Sequence, residues 1–249
     1  MESIILKDGW QFGQQGESAT QTVCVPHTVA LEELNVFANK QGIFEYSKQL
    51  FFEDVDKELN IFVHFDGVMI NCEVYFNDEL LCKHFGGYLP FEINITDKIK
   101  FGQGNTIKVV VDNRDDGDTP PGKPTGGLDF LYYGGIYRAV TLIKKGKIYI
   151  TDPLDGEDGG GIKFWCEKST SSDILVENKS NIASDNKDCG IKEKSYVANI
   201  TAVISNTFET EQKANIIVEI KDKTNIVVKK EQIGVTLQVG AKQKVECHI

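Results

Sequence analysis

No run in this 249-residue chain approaches the ~18 apolar residues that a membrane-spanning helix needs. No charged-then-apolar signal segment opens it, which leaves cytoplasmic and secreted origins both open. Positive charge is in deficit. The chain carries 27 Lys and Arg against 37 Asp and Glu, a net charge of −10, with no basic stripe interleaved with aromatics. Such a chain does not hold nucleic acid through a general electrostatic field. The six cysteines, at 24, 72, 82, 166, 189 and 247, include no CxxC pair, which argues against a zinc ribbon or a thioredoxin-type site. The four histidines, at 27, 64, 84 and 248, show no metal-ligand spacing, and nothing in the chain calls for a cofactor. Long stretches of 3.6-residue periodicity are missing as well. A short turn near Ala30 to Leu34 is the one helical candidate.

What the chain has in quantity is period-two alternation. Ile70, Cys72, Val74 and Phe76 fall on one face, with Asn71 and Glu73 opposite. Ile107, Val109 and Val111 repeat the pattern, as do Ile216, Val218 and Ile220. Val235, Leu237 and Val239 do so again, followed by Val245, Cys247 and Ile249. Half-buried antiparallel strands read this way, and the Gly, Asn and Asp between them mark turns. The expectation is an all-β chain of two sandwiches. A seam at Lys144-Lys145-Gly146-Lys147 gives domains 1–144 and 145–249. Residues 168–195 are rich in Ser, Asn, Asp and Lys and read as an excursion at the edge of the second sandwich. Cys72, on an apolar face, reads as a small buried hydrophobe. Asn94-Ile95-Thr96, Asn178-Lys179-Ser180 and Asn199-Ile200-Thr201 match the glycosylation acceptor pattern, which matters only in a eukaryotic secretory route.

One segment departs from plain sandwich. Pro120-Pro121-Gly122-Lys123-Pro124 leads into Asp129-Phe130-Leu131-Tyr132-Tyr133-Gly134-Gly135-Ile136-Tyr137-Arg138. Proline fixes φ and glycine permits positive φ, so this loop is expected to hold one shape. An isolated carboxylate beside aromatic faces suits a carbohydrate: the faces cover C–H patches and the carboxylate accepts from hydroxyls. The plainer reading is a sandwich rim whose aromatics cap the core.

An ordered series of short motifs resembles the N-terminal region of family 2 glycoside hydrolases, the β-galactosidase, β-glucuronidase and β-mannosidase group. In order they are Trp10-Gln11-Phe12, Val25-Pro26-His27-Thr28, Tyr46-Ser47-Lys48, Phe65-Asp66-Gly67-Val68, Val74-Tyr75-Phe76-Asn77, Gly86-Gly87-Tyr88-Leu89-Pro90-Phe91, Val109 to Asn113, and Gly134-Gly135-Ile136-Tyr137-Arg138. The series covers residues 4 to 143 densely, and its order is specific where each piece alone is weak. The Pro-Pro-Gly-Lys-Pro run with Leu128-Asp129-Phe130 resembles the β-galactosidase branch. The resemblance implies a sugar-binding jelly roll followed by an immunoglobulin-like sandwich. It also implies that the catalytic glutamates, and any divalent metal, belong to a (β/α)₈ barrel beyond Ile249. Retaining glycosidases need two carboxylic acids about 5–5.5 Å apart. No glutamate here is assigned that role; Glu45, Glu53, Glu58 and Glu73 read as strand-face or loop charges.

The same resemblance places Asp129, six residues before Gly135-Ile136, among residues that reach the substrate and contact galactosyl hydroxyls. Its plain alternative is a loop-capping carboxylate. Gln41 stands five residues before Tyr46, where the family pattern has an asparagine, and is a polar candidate of altered reach. Tyr132 and Tyr133 either line the sugar site or pack under the loop. Arg138 reads as a buried ion-pair or hydrogen-bond anchor, and His27 as a residue that fixes its turn by hydrogen bonds. The implied partner is a β-galactoside or related carbohydrate, with a homo-oligomer open for the longer enzyme. A free-standing carbohydrate-binding module and a structural or adhesion β-sandwich remain as alternatives.

Overall fold

The computed structural model describes residues 1–17, 20–29, 40–124, 127–128, 133–155, 159–168 and 196–249. The helical candidate near Ala30 and nearly all of the 168–195 excursion lie outside these residues, as do Asp129, Tyr132 and Cys189. The chain divides into two compact units, Met1–Lys147 and Ile148–Ile249. Both are built from strands. The only other regular segments among the described residues are two 3₁₀ turns, Asp54–Glu58 and Thr96–Lys98.

The first unit carries β1 (Glu2–Ile5), β2 (Trp10–Gln14), β3 (Gln21–Val23), β4 (Ile43–Phe51), β5 (Asn60–Phe65), β6 (Asn71–Phe76), β7 (Glu79–Phe85), β8 (Phe91–Asn94), β9 (Gly104–Asp112) and β10 (Val140–Lys145). They form a four-stranded sheet in the order β1-β10-β5-β8 and a six-stranded sheet in the order β3-β2-β4-β9-β6-β7. All the pairings are antiparallel. The alternation seen in the sequence decides which face is covered. Cys72, Val74 and Phe76 of β6 and Ile107, Val109 and Val111 of β9 are buried. They share one core with Ile61, Val63 and Phe65 of β5 and with Val140 and Leu142 of β10. A one-residue slip of any of these strands would turn its apolar set to solvent, so the register is pinned by the pattern. Trp10 is fully buried in this core, and its indole N–H donates to the Leu6 carbonyl at 2.7 Å.

The second unit carries β11 (Ile148–Ile150), β12 (Ile162–Lys168), β13 (Tyr196–Asn206), β14 (Gln212–Lys221), β15 (Val227–Leu237) and β16 (Lys242–His248). β13 pairs with β11, β12 and β16, while β14 and β15 form a separate two-stranded ribbon. Ile216 and Val235 of the ribbon pack on Ile204, Leu237 and Val245, and Val218 and Ile220 pack on Ala198, Cys247 and Ile249. Val239 is a correction to the sequence pattern. It lies past the end of β15 and is exposed, because the chain turns at Gln238 to Ala241 before the next strand begins. Asn199 is buried in β13 beside His248, which is no position for an attached glycan.

Candidate functional site

Four segments of the first unit meet at one rim: the turn after β3, the entrance to β4, the exit from β9 and the stretch before β10. A single side chain ties two of them together. Asn113, just past β9, is fully buried. Its Nδ2 donates to the Lys40 carbonyl at 2.9 Å, and its Oδ1 accepts from the Gly42 N–H at 2.8 Å. The Asn113 backbone N–H adds a bond to the Gly42 carbonyl at 3.2 Å. Gly134 lies against the same amide, and a Cβ there would fall inside the Asn113 side chain. Only glycine allows so close an approach. Gln41 and Tyr133, far apart in sequence, therefore rise from one rim.

A second tie runs through Tyr46 and His27. Gly135 has φ of +118°, and a Cβ on it would lie 2.6 Å from the Tyr46 hydroxyl and 2.8 Å from the His27 carbonyl. The Ile136 carbonyl accepts from the His27 backbone N–H at 2.7 Å. The Tyr46 hydroxyl accepts from the Ile136 backbone and sits 2.9 Å from His27 Nδ1. Burial pushes the Tyr46 phenol up and the His27 imidazole down from their ordinary values. Both groups are thus held neutral across this contact. Gly135 also exchanges both backbone hydrogen bonds with Met69, at 2.9 and 3.0 Å.

The described sequence candidates fall on this frame. Gln41 is exposed and donates from Nε2 to Asp115 Oδ1 at 2.6 Å. Tyr133 is 41% exposed. Asp129 and Tyr132 lie outside the described residues, but the chain is anchored on either side of them. Leu128 packs against Met69 and Ile70, and Gly134 and Gly135 are held as above. Arg138 is a hydrogen-bond anchor, but an exposed rather than a buried one: it donates to the Asp66 and Tyr88 carbonyls at 3.4 and 3.3 Å with its guanidinium over the Tyr137 ring. It has no carboxylate partner among the described residues; carbonyl oxygens and an aromatic face take that place.

Glu45, Glu53, Glu58 and Glu73 have structural partners. Glu73 pairs with Lys83 at 2.6 Å, Glu58 with Lys147 at 2.7 Å, and Glu53 caps the turn Asp54–Glu58. Gln15 donates to Glu45 at 3.3 Å. Within the first unit, among the described residues, no three His, Cys, Asp or Glu side chains converge as metal ligands would. The charge beside Gln41 is acidic. Asp112, Asp115, Asp116 and Asp118 share one turn of sequence with Arg114, which forks onto Asp112 at 2.9 and 2.6 Å, while the neighbouring Lys40 ammonium lies over the Phe44 ring. Sequence reasoning quoted Asn113 and Tyr46 within the motif series and gave neither a role. The signal for Asn113 was its place at the end of the Val109 to Asn113 motif, between a strand and a charged turn.

Residues 2–146 match the family model described as glycosyl hydrolases family 2, sugar binding domain. A β-glucuronidase of Bacteroides fragilis is 34% identical over 158 residues, covering 62% of this chain and 22% of that protein. A β-galactosidase of Thermoanaerobacter pseudethanolicus is 37% identical over 141 residues, covering 55% of this chain and 18% of that protein. The solved structure of Bacteroides uniformis β-glucuronidase 2, covalently bound to cyclophellitol-6-carboxylate aziridine, superposes with a TM-score of 0.76 at 20% identity. That match covers 100% of this chain and 27% of the other. The chain thus spans about a fifth of the length of the curated relatives it matches.

Proposed function

Because the chain belongs to family 2 of the glycosyl hydrolases, we propose that it is the non-catalytic, sugar-facing region of a longer retaining β-glycosidase acting on terminal β-galactosides. The relatives carry both galactosidase and glucuronidase names, so they do not choose between the two sugars. The observation that carries the choice is the acidic turn at the rim. A glucuronide would bring its carboxylate toward Asp115 in a run of four aspartates, where the Arg114 guanidinium is already forked onto Asp112 and the Lys40 ammonium lies over the Phe44 ring. Like charges near one site are costly, whereas a galactosyl hydroxyl donates readily to a carboxylate. The Pro-Pro-Gly-Lys-Pro run and the place of Asp129 support the same branch.

In this reading the rim supplies positioning. Asp129 accepts from galactosyl hydroxyls, Tyr133 and Tyr132 offer ring faces, and Gln41 orients Asp115. The bond-breaking carboxylate pair comes from the remainder of the longer protein. The test is turnover of a panel of nitrophenyl β-glycosides by the full-length protein and by the 249-residue chain. The galactoside is expected to be the best substrate of the full-length protein, and the chain alone is expected to turn over none. A full-length protein that prefers the glucuronide overturns the sugar assignment, and turnover by the chain alone overturns its non-catalytic role.

A further inference from the structure

The outer face of the six-stranded sheet holds a cavity of ≈ 350 Å³ that shares Asp112 with the acidic turn at the rim and is otherwise unused by the reading above. It sits on two cross-strand rows set by the register. One row runs Ile43, Asp112, Asn71, Phe85; the next runs Glu45, Val110, Glu73, Lys83. All eight side chains point away from the core, since their neighbours along each strand point into it. The floor is apolar and half-buried, from Ile43 and Val110. The wall is Phe85, 68% exposed on β7, which ends the order of this sheet. A phenyl ring this open, beside a concave floor, is a poor structural choice and a good ring-binding one.

The polar lining is charged but internally matched. Lys83 meets Glu73 at 2.6 Å and Arg114 forks onto Asp112. The Tyr75 hydroxyl donates to the second Glu73 oxygen at 2.5 Å. Lys83 and Tyr75 hold Glu73 below the usual carboxylate range; at Asp112 burial acts the other way, but the Arg114 bonds outweigh it. These pairs leave acceptor and donor capacity unspent. A carboxylate offers about four lone-pair sites, and the Lys83 ammonium uses one of three N–H donors on Glu73. A ligand with net charge finds no unmatched partner here, and Glu45 adds a further negative group. A ligand with many hydroxyls and an apolar ring face finds both of its needs met. The volume suits a sugar or two and lies in the range of small-molecule sites.

From these features we propose that the outer face of the six-stranded sheet is a second carbohydrate site, selective for neutral oligosaccharides, with Phe85 as the stacking wall and Glu73, Lys83 and Asp112 as hydroxyl partners. It goes beyond the rim reading and does not depend on Asp129 or on which sugar the full-length enzyme cleaves.

The test is amide chemical-shift mapping on the isotopically labelled 249-residue chain, titrated separately with lactose, cellotetraose and glucuronate. Lactose or cellotetraose is expected to shift amides at Ile43, Asn71, Glu73, Lys83 and Val110, saturating with a Kd of about 1 mM, as suits an open one-sided site. Phe85→Ala is expected to weaken binding about tenfold, since ring contact dominates such sites. Phe85 is exposed, so the variant keeps its fold, checked by unchanged emission of the buried Trp10. Glucuronate is expected to shift none of these amides. No saturable shift on this face with either neutral probe up to about 50 mM overturns the proposal. Unaltered binding by Phe85→Ala, or equal binding of glucuronate, overturns it too. The readout is binding by this chain, so its failure leaves the turnover test of the rim reading untouched, and the reverse holds.

Discussion

Asn113→Ala removes the tie between the β4 entrance and the β9 exit and leaves the strands themselves intact. Two side-chain hydrogen bonds vanish, at 2.9 and 2.8 Å, while the backbone bond from Asn113 to Gly42 remains. Each lost bond is worth about 1 kcal/mol, and the partners left behind cost more wherever water cannot reach them. Gly42 is only half-buried and Lys40 is exposed, so the stranded groups regain some water. The expected loss is about 2–4 kcal/mol, a large share of a typical domain's stability. Urea denaturation followed by Trp10 emission reads it, since Trp10 is fully buried in this unit while Trp165 is already 42% exposed. Asn113→Asp separates the two hydrogen bonds. It keeps the acceptor for Gly42 but sets an oxygen against the Lys40 carbonyl, and the buried site raises the new carboxyl's pKa. A group whose folded pKa is raised contributes fully below its unfolded value, about 3.9 for Asp, and loses that contribution as pH rises through the folded value. The deficit of Asn113→Asp is therefore expected to shrink as pH falls, and that of Asn113→Ala to stay level. A loss under about 0.5 kcal/mol for Asn113→Ala, or pH-independent deficits for both variants, would refute the clamp.

Three further outcomes are expected. In the full-length protein, Asp129→Ala lowers kcat/KM about ten- to a hundred-fold with little change in melting temperature, because a charged hydrogen bond to a substrate hydroxyl contributes roughly 1.5–3 kcal/mol; activity within twofold per folded molecule removes Asp129 from the site. Gly135→Ala forces a Cβ onto the Tyr46 hydroxyl at a φ of +118°, so it costs about 3–5 kcal/mol by combined strain and overpacking, read by the same urea titration; a near-neutral variant disproves the close approach. Burial lowers the pKa of both His27 and His84, so each contributes stability that is present above the unfolded value near 6.5 and lost as pH falls from there through the folded value. Melting temperature is expected to drop between about pH 7 and 5, and less so in His27→Gln, which cannot take up the proton.

The strand framework was legible because burial and period coincide. Cys72, Val74, Phe76, Ile107, Val109 and Val111 all point inward, as their alternation requires. Val239 misled because alternation says nothing about where a strand stops. At the rim, the sequence offered residue types suited to a sugar, which drew attention to Gln41, Asp129, Tyr132 and Tyr133. It gave no sign of the polar ties beneath them. Asn113 joins Lys40 and Gly42 across more than seventy residues, and Tyr46 meets His27 and Ile136 from three separate segments. Such contacts have no local period. The sheet-face cavity was hidden for the same reason, since its two rows are assembled from four strands whose order, β4-β9-β6-β7, is not their order along the chain.

The first and last strands of the N-terminal unit are hydrogen-bonded to each other: Glu2 to Ile5 lie along Thr141 to Lys144. A ribosome making this chain must deliver residue 145 before that sheet can close. At common synthesis rates the wait is roughly 7–30 s. Until then β5 lacks its β10 neighbour and β1 has nowhere to dock. Closing so long a loop is also entropically late, which slows folding relative to local pairings. A nascent chain stalled short of Val140 would therefore show open strand edges to chaperones and to other nascent chains, and the N-terminal unit is exposed to aggregation in the interval before its tenth strand emerges.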